Sequence, residues 1–251
     1  LLMEPQRTNI SIWSENMANG WTANGSSLTA NFTTSPNGLL NASKLTIGDI
    51  TNGYIYQQNI TTVVSTAYIL SVYIKSATGS NVNGSIYAIN SANSQSFTAT
   101  NTWQRVSVTG IASATLSSFY IGGFGSLSLG EDLYVWGAQI EAGAYPTSYI
   151  PTTTASVTRN VDVANKGGIS SLFGQTEGTI FYDMYIPQPS GLGTQPFASM
   201  TNDAGTLFYT AYVNNTLSFD MYIGGTYTFA LTTATGLTAG RNKVALVYKA
   251  G

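Results

Sequence analysis

Hydrophobic and polar residues alternate along most of the chain, and no window combines a 3.6-residue period with helix caps. Alternation with a period of two predicts β-strands that are buried on one face. In the first part of the chain it predicts strands at residues 45–47, 54–60, 68–75, 84–89, 103–108, 119–122 and 133–140. Turn clusters such as Ser35-Pro36-Asn37-Gly38 separate them. Short strands at this spacing predict an all-β fold, an antiparallel jelly-roll β-sandwich over residues 1–150.

The pattern changes after Gly143. Prolines at 146 and 151 and a run of threonines predict extended chain that lies over a surface, because proline cannot donate to a β-ladder. We therefore interpret residues 151–168 as an extended linker. Strands then return at 178–186, 196–200, 206–213, 216–223, 226–231 and 243–248, with hairpin turns predicted at Asn214-Asn215 and Gly224-Gly225. Because the chain ends on a central-strand pattern, residues 169–251 are predicted to be the N-terminal part of an incomplete second sandwich.

The composition excludes several classes of chemistry. The chain has 251 residues with no His and no Cys, so it has no imidazole base, no thiol nucleophile and no disulfide. Only 8% of its residues are charged, with Lys+Arg 9 and Asp+Glu 11, which argues against nucleic-acid binding. The longest apolar stretch, residues 67–74, is too short to insert across a membrane.

The acidic residues give little sign of an active site. Glycoside hydrolysis needs two carboxyl groups facing each other, and Asp183 and Asp220 lie in separate strand patterns whose alternation directs them to solvent. We predict that the chain is not an enzyme. A structural calcium stays an open alternative, because the chain offers only hard oxygen ligands. Its candidate ligands are Glu15 with Asn16 and the pair Glu131-Asp132, although no EF-hand loop occurs.

Aromatic side chains are the better candidates for binding, because pyranose rings stack on them. Trp103 and Trp136 lie in strand patterns and are predicted to be core residues. Tyr54 and Tyr56 are two positions apart, so they share one face of a strand. We take Tyr54, Tyr56 and Trp21 as the candidate ligand-binding residues.

A longer pattern resembles a family. The opening Leu2-Met3-Glu4-Pro5-Gln6-Arg7-Thr8-Asn9, then Trp103-Gln104-Arg105-Val106, then residues 134–143 and 146–152 together resemble a module of tailed-phage and prophage virion proteins. With further matches up to Val157-Thr158-Arg159, the resemblance covers residues 1 to about 164. That family has a carbohydrate-binding-module-like jelly roll. The part from Glu177 through Lys249 is similar to the start of a concanavalin-A/laminin-G-like sandwich that often follows this module.

The resemblance implies a virion structural protein made in the cytoplasm of the bacterial host. It would serve as a tail fibre, head fibre or similar appendage, form a homotrimer, contact other virion proteins and bind host-surface glycans. Related jelly rolls hold a structural calcium with an early Glu, which Glu15 matches, and an Asp in the last strand. This chain has Trp136-Gly137 at that place.

Two alternatives stay open. The same folds could serve only for packing, as in capsid or tail decoration proteins, or they could form the non-catalytic part of a polysaccharide depolymerase. Fold class does not separate these functions from glycan binding.

Overall fold

The structure is a computed structural model that describes residues 4–122, 129–162, 177–186, 195–201, 207–213, 216–223, 226–232 and 237–249. The chain divides into two compact units, Leu1–Ala164 and Asn165–Gly251. Apart from one turn of 3-10 helix at Met17–Asn19, the regular elements of the described residues are strands. Within these ranges, no helix has the length and apolar character that a bilayer crossing requires.

Unit 1 is a sandwich of two five-stranded antiparallel sheets with a small two-stranded sheet beside them. Its strands are β1 (Arg7–Asn9), β2 (Thr22–Asn24), β3 (Ser26–Thr34), β4 (Leu40–Ile47), β5 (Tyr54–Thr61), β6 (Ala67–Ser76), β7 (Val82–Ala88), β8 (Asn93–Ala99), β9 (Gln104–Ile111), β10 (Leu116–Gly122), β11 (Leu133–Ala142) and β12 (Val157–Arg159). One sheet, which we call sheet A, has the order β2-β5-β10-β7-β8. The other, sheet B, has the order β3-β4-β11-β6-β9, and β1 pairs with β12.

The core lies between sheets A and B because alternate residues of both sheets point inward. Ile55 and Phe119 of sheet A and Leu45 and Leu70 of sheet B are fully buried in one hydrophobic cluster. The alternation read from the sequence is therefore the alternation between core and outer face. The predicted antiparallel jelly-roll sandwich is confirmed.

Part of the outer face of sheet B is covered by a segment that we call the strap, residues 144–153. The outward-facing side chain of Gln139 accepts a hydrogen bond from Ile150 N at 2.7 Å, and Arg105 donates to Thr147 O at 2.6 Å. Tyr149 packs on Trp136 with ring centroids 4.6 Å apart. Burial raises the pKa of the Tyr149 phenol above its usual value. The strap explains why β6 and β11 are buried on both faces over much of their length.

The strap changes the domain boundary read from the sequence. Residues 151–162 were predicted to belong to a linker, but they belong to unit 1. Thr152 is buried and donates from Oγ1 to Ser11 O at 2.6 Å, and β12 pairs with β1 over three residues. Proline keeps the strap out of a ladder, as predicted, but side-chain hydrogen bonds fix it to the sandwich. Residues 163–168 of the predicted linker lie outside the described residues.

A bulge in β11 directs its side chains toward the strap. Register shifts between Trp136 and Gln139, and Gly137 between them has a φ of 66°. A side chain at Gly137 would be strained in that conformation, and its Cβ would lie 3.1 Å from the Tyr73 ring and 3.3 Å from the Tyr149 ring. Glycine is therefore required where the aromatic side chains close over the strand.

Unit 2 contains β13 (Glu177–Ile186), β14 (Gln195–Thr201), β15 (Leu207–Val213), β16 (Thr216–Ile223), β17 (Thr226–Thr232) and β18 (Gly240–Lys249). β13 pairs with β18, and β14-β15-β16-β17 form an antiparallel meander. Leu217, Phe219 and Leu246 form its described core. The hairpin turns predicted at Asn214-Asn215 and Gly224-Gly225 lie outside the described residues. The concanavalin-A-like character of this unit stays a prediction.

The two tryptophans predicted to be core residues differ. Trp136 is 3% exposed, so that prediction is confirmed. Trp103 is only half-buried and donates from its indole nitrogen to Thr34 O at 3.1 Å, so the core prediction is wrong for this residue. It lies just before β9, the edge strand of sheet B, and not within a strand.

Candidate functional site

The outer face of sheet A carries a row of residues that crosses all five strands. The strand register places Thr22 opposite Tyr56, Tyr56 opposite Tyr120, Tyr120 opposite Tyr87, and Tyr87 opposite Ser94. Residues in one such row point to the same side of a sheet. Because the neighbouring residues Ile55, Ile86 and Ile121 are buried in the core, the row faces away from it.

Tyr54 lies two positions before Tyr56 on β5, on the same face of the sheet, and its ring contacts those of Tyr56 and Tyr120. Tyr56 stacks on Tyr120 with centroids 5.7 Å apart and 26° between the planes, and Tyr54 meets Tyr120 edge-on at 5.7 Å. Asn24 donates to the Tyr54 hydroxyl at 2.8 Å. These three tyrosines and Tyr87 of the same face are half-buried. We call Tyr54, Tyr56, Tyr87 and Tyr120 the tyrosine face.

In the row that contains Tyr54, the residues toward β7 and β8 are small. Gly122 lies opposite both Tyr54 and Ser85, and Ser85 lies opposite Ser96 with their hydroxyl oxygens 3.3 Å apart. Gly122 has a φ of 136°, and a Cβ there would lie 2.7 Å from Gly53 O. The face therefore has a ridge of aromatic rings beside a row of glycine and hydroxyl side chains.

Charge is distributed unequally between the two sheets. The five strands of sheet A contain no Asp, Glu, Lys or Arg. Sheet B carries Lys44, Lys75, Arg105 and Glu141 on its strands. A ligand on the tyrosine face would therefore meet aromatic rings, hydroxyls and amides, and its binding would depend little on salt.

The structure brings together two of the three ligand-binding residues predicted from the sequence. Tyr54 and Tyr56 share the tyrosine face, with ring centroids 5.9 Å apart. Trp21 does not belong to the site, because it is 6% exposed and packs in the main core of unit 1. It directly precedes β2, and its ring fills the space between the sheets rather than facing solvent. The prediction that Trp21 contacts a ligand is therefore corrected.

Sequence reasoning missed Tyr87 and Tyr120 as members of the site. Each lies in a strand pattern between inward-facing residues, so alternation indicates that both point outward. Their place beside Tyr56 depends on β10 pairing between β5 and β7, and Tyr120 is 64 positions from Tyr56 and 33 from Tyr87 along the chain. Alternation carries no information about that order.

The predicted metal ligand Glu15 lies beside amide groups. Asn41 donates from Nδ2 to Glu15 Oε2 at 3.1 Å, and the side-chain oxygens of Asn41 and Asn16 are buried without a hydrogen-bond partner. Carboxylate and amide oxygens are ligands that Ca²⁺ accepts, and the buried amide oxygens fit a cation near Glu15. Among the described residues, no three His, Cys, Asp or Glu side chains cluster as a metal site. Backbone oxygens and water would have to complete the coordination.

We expect Ca²⁺ to stabilise unit 1 through Glu15. A ligand at a hundred times its Kd stabilises the folded state by about 2.7 kcal/mol, so Ca²⁺ should raise the unfolding midpoint of the EDTA-treated protein. Glu15→Gln should abolish that rise. Glu177→Gln, in unit 2 at an exposed position, is the matched control and should keep it. Equal midpoints with Ca²⁺ and with EDTA in the unmodified protein would contradict the site.

The carboxylates that might form a catalytic pair do not do so in the described residues. Asp183 is exposed and accepts hydrogen bonds from Arg241 at 2.7 and 2.5 Å, and these bonds lower its pKa. Asp220 accepts a hydrogen bond from Ser218 at 2.6 Å. Asp183 lies on β13 and Asp220 on β16, which belong to different sheets. Each carboxylate is hydrogen-bonded to a neighbouring side chain, and the two do not face each other as a catalytic pair.

Comparison with known proteins gives structural similarities and no sequence family. No family model matches the chain, and no curated protein matches it. Among solved structures, the CBM22-1–GH10 modules of endo-1,4-beta-D-xylanase 10B from Clostridium thermocellum, complexed with xylohexaose, are 16% identical with a TM-score of 0.42. That match covers 59% of this chain, which spans 30% of the xylanase chain.

A second similar structure is the N-terminal CBM22-1–CBM22-2 tandem domain of Xyn10C from Paenibacillus barcinonensis. It is 14% identical with a TM-score of 0.40, and the match covers 97% of this chain and 90% of the tandem domain.

Proposed function

We propose that unit 1 is a non-catalytic module that binds a neutral glycan on the tyrosine face. The observation that carries this proposal is the contiguous group of four half-buried tyrosines on a sheet whose strands hold no charged residue. Aromatic rings offer the apolar face against which the C–H groups of a pyranose ring pack.

The polar residues around the tyrosines complete the chemistry of a sugar site. Thr22 and Ser94 lie at the two ends of the tyrosine row and are exposed, as are Asn24 and Ser96 in the row that contains Tyr54. Hydroxyl and amide groups donate and accept hydrogen bonds, as sugar hydroxyls do, and they add no net charge. The row crosses the sheet, so it suits several sugar units of a chain rather than one terminal residue.

A glycan panel tests the proposal directly. The full chain is applied to immobilised neutral and acidic polysaccharides at low and high salt. We expect retention on at least one neutral polysaccharide that changes little with salt, because no charge faces the ligand. Retention only on acidic polysaccharides, lost at high salt, would overturn a neutral-glycan site on the tyrosine face. Release of new reducing ends by the chain would overturn the non-enzymatic assignment.

We further propose that the chain is part of a virion appendage and assembles as a homotrimer. The resemblance of residues 1–164 to a virion module supports this assignment. Three parallel copies would present three tyrosine faces, and multivalency would strengthen a weak sugar contact by a large factor. Light scattering on the samples used for the glycan panel measures the mass of the particle. A mass of three chains is expected, and a monomeric mass would overturn the trimer.

The purely structural alternative predicts a different result in the same experiment. A decoration protein would form oligomers and bind no polysaccharide in the panel. Low charge and abundant hydroxyl groups fit both functions, whereas clustering four half-buried tyrosines on one outer face favours glycan binding.

A further inference from the structure

A second concave site lies in unit 1, away from the tyrosine face. It is an open cavity of about 400 Å³ lined by β1 and the residues on either side of it, the end of β5, the start of β6 and the end of β11. The polar residues in its wall are Gln6, Arg7, Thr8 and Thr61, and Tyr68 adds an aromatic ring. None of the four tyrosines of the proposed glycan site lines it. This volume exceeds that of a single sugar ring.

Arg7 brings unused hydrogen-bond donors to this cavity. A guanidinium has five N–H donors, and within the described residues Arg7 donates only one hydrogen bond, from Nη1 to Gln6 O at 3.4 Å. Its Nε is buried and has no hydrogen-bond partner. The guanidinium is held in place, since its carbon lies 5.6 Å from the centre of the Tyr145 ring and Gly143 leaves room for it.

The nearest carboxylate does not use these donors. Glu141 is fully buried, and its closest oxygen is 3.8 Å from Arg7 Nε, beyond hydrogen-bond distance. Its oxygens already accept hydrogen bonds from Thr147 N at 2.8 Å, Thr147 Oγ1 at 2.7 Å and Gln139 Nε2 at 2.9 Å. The hydrogen bonds that Glu141 accepts therefore all come from other groups, and Arg7 pairs with it only by charge across 3.8 Å. The N–H groups of the guanidinium that carry no hydrogen bond can bind a second carboxylate.

We propose that this cavity is a binding site for an acidic saccharide, whose carboxylate binds the Arg7 guanidinium. Arginine N–H groups match a carboxylate in a two-point hydrogen bond. The saccharide class follows from the remaining wall, because the exposed side chains of Gln6 and Thr61 make no hydrogen bond within the described residues and can bind sugar hydroxyls. The buried ring of Tyr68 gives an apolar surface at the same cavity.

The site is independent of the tyrosine face. Thr61 lies at the opposite end of β5 from Tyr54, so the two sites can bind different parts of one polymer or different polymers. If the polysaccharide panel shows no binding of neutral glycans to the tyrosine face, the proposal for the Arg7 cavity is unaffected. If the Arg7 cavity binds no acidic saccharide, the proposal for the tyrosine face is unaffected.

Sodium D-glucuronate is the probe for this site, with D-glucose and sodium acetate as comparisons. In the ¹⁵N-labelled full chain, the side-chain Nε–Hε signal of Arg7 is followed up to about 50 mM of each, a range that detects millimolar affinity. We expect a saturable shift with glucuronate and a Kd at least tenfold lower than for glucose or acetate. No shift with glucuronate overturns the proposal. Acetate binding as tightly as glucuronate overturns the saccharide assignment, and glucose binding as tightly overturns the role of the carboxylate.

Two variants separate binding from folding. Arg7→Lys keeps the charge but loses the two-point geometry, and it should raise the Kd for glucuronate at least tenfold. Thr61→Tyr fills the cavity from an exposed position and should abolish the shift of Arg7 while leaving unfolding by urea unchanged. Thr29→Tyr, at an exposed position of β3 away from the cavity, is the matched control and should bind glucuronate normally. If Thr61→Tyr binds glucuronate as the unmodified protein does, glucuronate does not bind in this cavity and the proposal is overturned.

Discussion

Replacing Asn9 by alanine is expected to lower the free energy of unfolding of unit 1 by at least about 4 kcal/mol, since it leaves four buried polar groups without a partner and each costs about 1–3 kcal/mol. Asn9 is fully buried, and its Nδ2 donates to Ala138 O at 3.2 Å and to Ile150 O at 2.8 Å. Its Oδ1 accepts from Ser11 N at 3.1 Å and from Ile140 N at 3.0 Å. Alanine would leave four backbone groups without a partner.

The effect should be large because Asn9 joins three parts of the chain. It links the N-terminal strand β1 to β11 of sheet B and to the strap. All four tryptophans, Trp13, Trp21, Trp103 and Trp136, lie in unit 1, so tryptophan fluorescence during urea unfolding reports this unit alone. Asn101→Ala, at an exposed position of unit 1 where the asparagine side chain makes no hydrogen bond within the described residues, is the control and should cost less than about 0.5 kcal/mol. A loss below about 1 kcal/mol for Asn9→Ala would show that the four groups find other partners.

Replacing Tyr56 by alanine should weaken binding of the glycan found in the polysaccharide panel by about tenfold or more, which corresponds to about 1.4 kcal/mol. Tyr56 lies in the tyrosine face, in contact with Tyr54 on its own strand and with Tyr120 on β10. Its removal takes away one stacking surface and the support of a second ring. Isothermal titration with an oligosaccharide of that glycan measures the change.

Two control variants show what the tyrosine contributes. Tyr56→Phe keeps the ring and should retain most of the affinity, because stacking requires the aromatic face rather than the hydroxyl. Tyr134→Ala changes a half-buried tyrosine on sheet B, which carries the opposite outer face, and should leave the affinity unchanged. If Tyr134→Ala weakens binding as much as Tyr56→Ala does, the ligand does not bind on sheet A.

The outcome for individual residues shows how far sequence reasoning reaches at this site. Tyr54 and Tyr56 could be paired from the sequence because their two-residue spacing is a local property of any strand. Tyr120 and Tyr87 could not be added, because strand order in a sandwich is a matter of long-range pairing. The sequence predicts Trp21 as a ligand-binding residue, but the residue type alone does not reveal whether a tryptophan side chain packs in the core or faces solvent.

The second site shows the same limit more strongly. Arg7 lies in a short strand near the start of the chain, and Glu141, which lies beside it, is 134 positions later. That Arg7 retains free donors depends on Thr147 and Gln139 satisfying the carboxylate first. No periodicity or motif in the sequence shows which of these side chains forms hydrogen bonds with Glu141.

Alternation and composition by themselves determined the all-β sandwich, the low content of charged residues and the absence of imidazole and thiol groups from this protein. Each of these depends on residue type or on neighbours within one strand. The tertiary structure decided the tyrosine face, the burial of Trp21 and the fixing of the strap to sheet B. Each of these depends on which distant strands lie side by side, and the packing of the whole core selects that arrangement.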